Sequence, residues 1–163
     1  MQEIQTPRLL LRGFRESDYD DLYEFLSQLE NDEFECYPGI TYENGRRHLQ
    51  HRVGSEEFYA VALQETGKVI GNIYYGNRDD EAREVGYIIN ARYRRQGFAC
   101  EALCAVIENG FRQGVHRIYA ACDARNTASW KLLEKAGLER EAHLRQNVFF
   151  IGTRTARPYG RIR

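Results

Sequence analysis

The stretch that most constrains the fold runs from Glu84 to Ala99. An apolar run from Val85 to Ile89 is typical of a buried strand, and a connection rich in arginine follows it. Gly97 then opens a segment with helical periodicity. A strand, a turn and a helix start in this order place free backbone N–H groups at a helix N-terminus, where phosphate oxygens are favoured. The sequence therefore predicts an anion site, in which the glycine allows close backbone approach and the arginines add positive charge.

The residues of this turn decide which kind of phosphate site is predicted. Neither G-x-G-x-x-G nor G-x-x-x-x-G-K-[ST] occurs at this point, so the usual dinucleotide and nucleoside triphosphate loops are not indicated. Six residues of the turn resemble the Q/R-x-x-G-x-G/A pyrophosphate loop of the GCN5-related N-acetyltransferases (GNAT family), which bind acetyl-coenzyme A. These residues are Arg94, Arg95, Gln96, Gly97, Phe98 and Ala99. The alternative is a solvated basic turn whose glycine serves only the local geometry.

Hydrophobic periodicity along the rest of the chain predicts alternating strands and helices. Strands are predicted over 6–14, 58–63, 69–75, 83–90, 117–122, 138–150 and 157–162. Helices are predicted over roughly 18–30, over 41–53, from the turn at Gly97 to about Gly114, and over 127–136. The fold class expected is α/β (α+β), a GNAT-like mixed central sheet of about seven strands flanked by about four helices. The length of 163 residues suggests one domain, 1–163.

Charge and composition narrow the function classes. A formal net charge of −1 argues against a general nucleic-acid binder. Because four arginines lie in the last ten residues, the remainder is mildly acidic, which suits a cationic amine substrate. No apolar run approaches the ~20 residues of a membrane span, so a cytoplasmic protein without membrane contact is predicted. No C-x-x-C spacing occurs among Cys36, Cys100, Cys104 and Cys122, and neither a disulfide framework nor a metal site is predicted.

Three further blocks of sequence strengthen the resemblance to the GNAT family. The blocks are 6–12, 84–87 and 126–129 with 133–138. They are similar to those of the RimJ/RimL branch of the family, which acetylates protein N-termini, notably of ribosomal proteins. The resemblance spans 6–162. It implies acetyl-coenzyme A as cosubstrate, no metal, and an amine substrate that is a protein N-terminus or a small molecule. It leaves a homodimer open.

The resemblance also implies roles for individual residues. The backbone of Ile88 and Ile89 would pair with the pantetheine arm and the acetyl carbonyl. The turn from Arg94 to Ala99 would hold the pyrophosphate, and Asn126 would hydrogen-bond the pantetheine. Each role has an alternative: the two isoleucines could be core residues only, and the asparagine could be only a helix cap.

Two residues are candidates for acid–base catalysis. A thiol with a pKa near ~8.5 leaves as thiolate with little help, whereas an amine with a pKa near ~8 to 10 must first lose a proton. Glu84 is the candidate base, acting through water, and the alternative is a surface carboxylate paired with Arg83 or Arg92. Ser129 is the candidate acid or thiol hydrogen-bond donor, by the resemblance to the RimL-like branch, and the alternative is a second capping residue.

Two functions from different classes therefore remain. The first is an acetyl-coenzyme A-dependent N-acetyltransferase, in which a primary amine attacks the acetyl group directly in a ternary complex. The second is a non-catalytic regulatory module that binds coenzyme A on the same fold. Glu84 and Ser129 favour the first, because a protein that only binds coenzyme A needs neither residue.

Overall fold

The computed structural model describes residues 1–30, 32–34, 39–77, 82–151 and 156–162, with side chains described as far as Leu144. Within these ranges the chain forms four α-helices and nine strands. The helices are α1 (Tyr19–Ser27), α2 (Gly45–Arg52), α3 (Phe98–Arg112) and α4 (Thr127–Lys135). The strands are β1 (Ile4–Gln5), β2 (Leu9–Arg12), β3 (Phe58–Leu63), β4 (Val69–Asn77), β5 (Ala82–Ile89), β6 (Arg117–Tyr119), β7 (Cys122–Asp123), β8 (His143–Ile151) and β9 (Ala156–Ile162).

The strands form two sheets. The larger has six strands in the order β1-β2-β3-β4-β5-β6, and the smaller has three in the order β7-β9-β8. All neighbours in the larger sheet are antiparallel except β5 and β6, which are parallel. The mixed sheet and the four α-helices of the described residues confirm the predicted fold class. The predicted central sheet of about seven strands corresponds to the six-stranded sheet, and the described residues form a further, three-stranded sheet beside it.

Helices cover both faces of the larger sheet. On one face, Leu22 and Phe25 of α1 and Leu49 of α2 pack in one buried cluster with alternate residues of β3. On the other face, Phe98 and Ala102 of α3 pack with the intervening residues of β3. Because β3 is buried on both sides, its sequence is a continuous run of apolar residues and does not alternate between apolar and polar. No helix of the described ranges is long and apolar enough to cross a membrane.

The main departure from the predicted elements is at 117–122. The predicted single strand is divided: β6 ends at Tyr119, β7 begins at Cys122, and the two belong to different sheets. An apolar run shows that a strand is buried, but it does not show where the strand leaves its partner. The last long strand also begins later than predicted, at His143 instead of 138, because Gly137 ends α4 with a φ of 93° and the Leu138 amide donates back to the Leu133 carbonyl.

Candidate acetyl-transfer site

A gap opens in the larger sheet where β5 and β6 part. Their parallel pairing ends with Glu84 opposite Tyr119, and β5 continues to Ile89 while β6 stops. A cavity of about 560 Å³ lies in this gap. Its walls are the second half of β5 with the turn that follows it, and the segment from Ala120 to the middle of α4. From Val85 onward, β5 has no strand neighbour on this side among the described residues, so its backbone edge is open to an extended ligand.

The predicted anion turn lies at the end of this gap. After β5 the chain makes a short 3-10 turn, and Gly97 then caps α3 with a φ of 86°. The first intrahelical bond is donated by the Glu101 amide to the Gly97 carbonyl, so the preceding amides of the helix have no intrahelical acceptor. Arg94, Arg95 and Ala99 line the cavity. The turn therefore presents both arginine side chains and a helix N-terminus at the cavity wall.

Two members of the predicted turn contribute differently from the arginines. The Phe98 side chain is buried in the core cluster between α3 and the sheet, so only its backbone could contact an anion at the turn. The Gln96 side chain donates to the Arg92 carbonyl at 3.0 Å, which closes the turn on itself. Both residues therefore shape the turn, and their side chains serve packing and local hydrogen bonding.

Arg8, a residue that sequence reasoning missed, holds the turn in place. Its Nη1 donates to the Gln96 carbonyl at 3.0 Å, and its guanidinium lies 4.3 Å from the centre of the Phe98 ring. Glu101 accepts from Arg8 Nε at 2.7 Å and from Thr6 Oγ1 at 2.6 Å. Burial raises the pKa of Glu101, and the hydrogen bonds from Thr6 and Arg8 lower it more, so the net direction is down. No local pattern could show this pairing, because the partners are more than ninety residues apart in sequence.

Gln28, which follows α1, holds the start of the turn through Asn90 and Ala91. Gln28 Oε1 accepts from the Ala91 amide at 2.7 Å, and its Nε2 donates to Asn90 Oδ1 at 3.1 Å. The same Oδ1 accepts from the Arg92 amide, and Asn90 is fully buried. A buried polar side chain with these bonds defines the path of the chain as it leaves β5.

Ile88 and Ile89 line the cavity and also pack in the core. The Ile89 side chain belongs to the cluster against α3, and Ile88 packs against the cluster that contains α1 and α2. The Ile89 carbonyl accepts from Arg94 Nε at 3.1 Å, which ties the arginine to the strand end. Core packing and backbone pairing with a ligand are therefore compatible at these two positions, since they use different atoms.

Asn126 and Ser129 form the opposite wall. Asn126 is the N-cap of α4, and its Oδ1 accepts from the Ser129 amide at 3.0 Å. The Ser129 hydroxyl accepts from the Tyr87 phenol of β5 at 2.9 Å. Burial raises the pKa of the Cys122 thiol, and the nearby Ser129 hydroxyl offsets this in part. Asn126 is thus a helix cap that also borders the cavity, and Ser129 lies inside it.

Glu84 lies at the point where the gap begins. It is the last residue of β5 paired with β6, and Val85, the next residue, is the first of β5 to line the cavity. By the alternation of a strand, its side chain is on the same face as Ile88, which is the face covered by α1 and α2. Arg92, one of its two predicted ion-pair partners, lies beyond the other end of β5 with its Nη1 3.5 Å from Glu24.

Residues 32–34 border the cavity. Asp32 Oδ2 is 3.9 Å from Arg94 Nη2, and Glu33 Oε1 is 3.3 Å from Arg125 Nη1. Asp32 and Phe34 line the cavity, and the Asp32 carboxylate lies beside an arginine of the anion turn. Cys36, considered above for a disulfide or metal, lies outside the described residues. Elsewhere in the described ranges, no group of three or more His, Cys, Asp or Glu residues could hold a metal ion.

The chain is similar to known acetyltransferases over most of its length. A family model described as "Acetyltransferase (GNAT) domain" matches residues 8–139. The uncharacterised N-acetyltransferase YnaD of Bacillus subtilis is 30% identical over 148 residues, which are 89% of this chain and 87% of the relative. The [ribosomal protein uS5]-alanine N-acetyltransferase of Escherichia coli is 28% identical over 163 residues, 91% of this chain and 84% of the relative.

A solved structure supports the same assignment of the fold. The ribosomal alpha-N-protein acetyltransferase RimL, in complex with coenzyme A, superposes with a TM-score of 0.82 and 20% identity over 99% of this chain and 94% of that one. These comparisons confirm the predicted resemblance, including that to the RimJ/RimL branch. The chain belongs to the GNAT family and is an acetyltransferase.

Proposed function

We propose that the chain transfers an acetyl group from acetyl-coenzyme A to a primary amine by direct attack in a ternary complex. The observation that carries the proposal is the gap between β5 and β6, which has an anion turn at one end and Ser129 on the opposite wall. In this proposal the turn from Arg94 to Ala99 holds the pyrophosphate. The open edge of β5 at Ile88 and Ile89 pairs with the pantetheine arm and the acetyl carbonyl, and Asn126 hydrogen-bonds the same arm.

The two candidate catalytic residues lie on opposite faces of the larger sheet. Glu84 is on the face covered by α1 and α2, whereas the Tyr87 phenol that contacts Ser129 is on the face covered by α3 and α4. An amine that enters beside Glu84 would approach the acetyl carbon from one face, and the thiolate would leave toward Ser129 on the other. This arrangement supports Glu84 as the base, acting through water, and Ser129 as the donor to sulfur.

A protein N-terminal α-amine is the acceptor that we propose, and a small-molecule amine is the second choice. The relative that acetylates ribosomal protein uS5 supports the first choice. An α-amine has a pKa near ~7.7 to 8.0, whereas a lysine amine has a pKa near ~10.4, so a larger fraction of the α-amine is neutral and reactive at neutral pH.

A non-catalytic coenzyme A-binding module is the alternative, and the N-acetyltransferases among the relatives favour the enzyme. The cytoplasmic location belongs to the same proposal, as does the lack of a nucleic-acid partner.

The test is release of free thiol from acetyl-coenzyme A in the presence of peptides. A peptide with a free N-terminus should release thiol and gain one acetyl group, and the same peptide with a blocked N-terminus should not. The rate of thiol release with a small-molecule amine at the same concentration shows how well the second class of acceptor reacts. Binding of acetyl-coenzyme A without thiol release from any acceptor would establish the alternative.

Glu84→Gln tests the proposed base, with Glu57→Gln as a control on a neighbouring part of the sheet. For the wild type, kcat/KM should rise with pH through one ionisation, because removal of a proton limits the reaction. The Gln variant should lose about 10² to 10⁴-fold in kcat/KM. A variant with the full rate and the same pH profile would show that Glu84 is only a surface carboxylate.

A further inference from the structure

Tyr87 contacts the site from the middle of β5. Its hydroxyl donates to Ser129 Oγ at 2.9 Å, across the gap between β5 and α4. The ring is half-buried and packs against the core clusters on the face of the sheet covered by α3 and α4, so its direction is set by packing. Tyr87 also lines the cavity. The phenol is therefore a polar group inside the site to which neither the sequence nor the family comparison assigns a role.

The direction of this hydrogen bond matters for Ser129. A serine hydroxyl has one proton to donate and two lone pairs to accept. Because Tyr87 donates to one lone pair, the serine proton is left to point elsewhere. The Ser129 amide is also bound, to Asn126 Oδ1 at 3.0 Å. Backbone and side chain of Ser129 are thus oriented from two sides.

A sulfur lies close to Ser129 in this structure. Cys122 lines the same cavity, and the Ser129 hydroxyl lowers the pKa of its thiol, which burial raises. The Tyr87–Ser129 hydrogen bond is therefore at the wall where the leaving thiolate would lie, near a sulfur of the protein itself. No tyrosine occurs in α4 itself, so the phenol of this site comes from β5.

We propose that Tyr87 is a positioning residue that turns the Ser129 hydroxyl toward the departing thiolate of coenzyme A. The proposal rests on the function proposed above. In the reaction the amine nitrogen bonds to the acetyl carbon, the carbon–sulfur bond breaks, and its electron pair goes to sulfur. The amine proton goes to the base or to water. Ser129 stabilises the thiolate by donating a hydrogen bond, and the thiolate then takes a proton from solvent.

Tyr87→Phe removes only the hydroxyl and keeps the ring that packs in the core. We expect kcat to fall about tenfold with KM for acetyl-coenzyme A nearly unchanged, because the lost bond acts on the leaving group. Ser129→Ala should lose about 10²-fold, the low end for acid catalysis, and the double variant should lose no more than Ser129→Ala alone. Tyr75→Phe is the matched control: its hydroxyl is buried and finds no partner among the described residues, so kcat should stay at the wild-type value.

A second readout separates positioning from a merely structural role. The pKa of the coenzyme A thiol bound to the enzyme can be followed by the ultraviolet absorbance of the thiolate, with the desulfo-coenzyme A complex as the blank that cancels the protein cysteines. We expect Tyr87→Phe and Ser129→Ala to raise this bound thiol pKa above the wild-type value, and Tyr75→Phe to leave it unchanged. A purely structural effect would lower the melting temperature and leave the bound thiol pKa where it was.

The outcomes distinguish this inference from the proposed function. If the wild type binds coenzyme A and turns over, but Tyr87→Phe has wild-type kcat and an unchanged bound thiol pKa, only the role of Tyr87 is refuted. Additive losses in the double variant would also refute it, because two residues acting through one hydrogen bond cannot contribute independently. If the wild type does not bind coenzyme A, the proposed function and the role of Tyr87 fall together.

Discussion

The two walls of the cavity are built in different ways. The wall formed by β5, the anion turn and α3 is held by side chains from distant parts of the chain: Arg8 and Glu101 fasten one end of the turn, and Gln28 with buried Asn90 fastens the other. The wall formed by β7 and α4 is held mainly by local bonds, such as those from Arg125 to Asp123. There, the Asn126 cap orients the first turn of α4, and the Tyr87 hydroxyl reaches Ser129 across the gap.

This difference separates binding from chemistry. A turn that is already held by several side-chain hydrogen bonds would lose little freedom on binding a phosphate, so the first wall is arranged for affinity. The second wall carries the groups that would contact the pantetheine arm and the sulfur, and a change of one bond there alters the geometry of the reacting atoms. Substitutions in the anion turn should therefore change binding, and substitutions of the groups beside the sulfur should change turnover.

The largest effect expected is on the anion turn. For the wild type, acetyl-coenzyme A at ~100 times its dissociation constant should add about 2.7 kcal/mol to the free energy of unfolding. For a chain of this length that is a rise of roughly 5 to 10 °C in melting temperature. Gly97→Glu should abolish the rise, because it places a side chain and a negative charge where the phosphate would lie.

Gly114→Glu is the matched control for this substitution. Gly97 and Gly114 both have a positive φ, 86° and 85°, so each variant carries a similar backbone cost of about 1 to 2 kcal/mol. Gly114 follows the C-terminal end of α3, whereas Gly97 caps its N-terminus between Arg95 and Ala99, which line the cavity. The Gly114 variant should therefore melt at a lower temperature but keep the full rise with acetyl-coenzyme A. A rise retained by Gly97→Glu would contradict the assignment of the turn.

A smaller effect is expected at Asn126, where two substitutions separate capping from ligand binding. Asn126→Ala should lose about 1 kcal/mol of stability, whereas Asn126→Asp should keep the cap, since aspartate caps helices as well as asparagine does. Both variants lack the amide N–H₂ donor. Each should bind coenzyme A about fivefold more weakly by calorimetry, the equivalent of one neutral hydrogen bond of about 1 kcal/mol. An Asp variant with wild-type affinity would leave Asn126 as a cap only.

The smallest effect is expected at Glu101, and it depends on pH. Its folded pKa is lowered, so its contribution to stability is present above the unfolded pKa of ~4.3 and is lost as pH falls through the lower folded value. Chemical denaturation of Glu101→Gln should show a deficit of about 1 kcal/mol or less at neutral pH, because Arg8 is about half exposed. The deficit should shrink in acid below that range. A deficit that is constant with pH would mean that the ion pair does not contribute.

Much of the fold could be predicted from the sequence because its elements carry strong local patterns. The stripe of Ala102, Leu103 and Val106 predicts α3, and the turn near Gly67 predicts the hairpin of β3 and β4. The division of the strand at 120–121 could not be predicted. The division depends on the point at which β6 stops pairing with β5, and the arrangement of the whole sheet determines that point. Strand β1 was not predicted, because a strand of only two residues is too short to show a hydrophobic period.

The site could be predicted in part, for the same reason. Gly97 and its neighbours form a compact motif, and the structure places that motif at the cavity. The residues that hold it, Arg8 and Glu101, carry ordinary surface identities and meet only after folding. Tyr87 lies in the block 84–87 that resembles the family, yet its hydrogen bond to Ser129 joins residues 42 positions apart. Local patterns therefore indicated the binding groups but not the groups that orient them.

The most direct test of the account asks which cavity coenzyme A enters. A second, mostly apolar pocket of about 250 Å³ lies on the other side of α4, lined by Phe111, Trp130 and Leu138. Backbone hydrogen exchange of the wild type with and without coenzyme A separates the two cavities. If coenzyme A enters the gap between β5 and β6, protection is expected at 88–99 and in the first turn of α4, with no change at 107–118 or 137–141. Protection at 107–118 and 137–141 with none at 88–99 would contradict this placement.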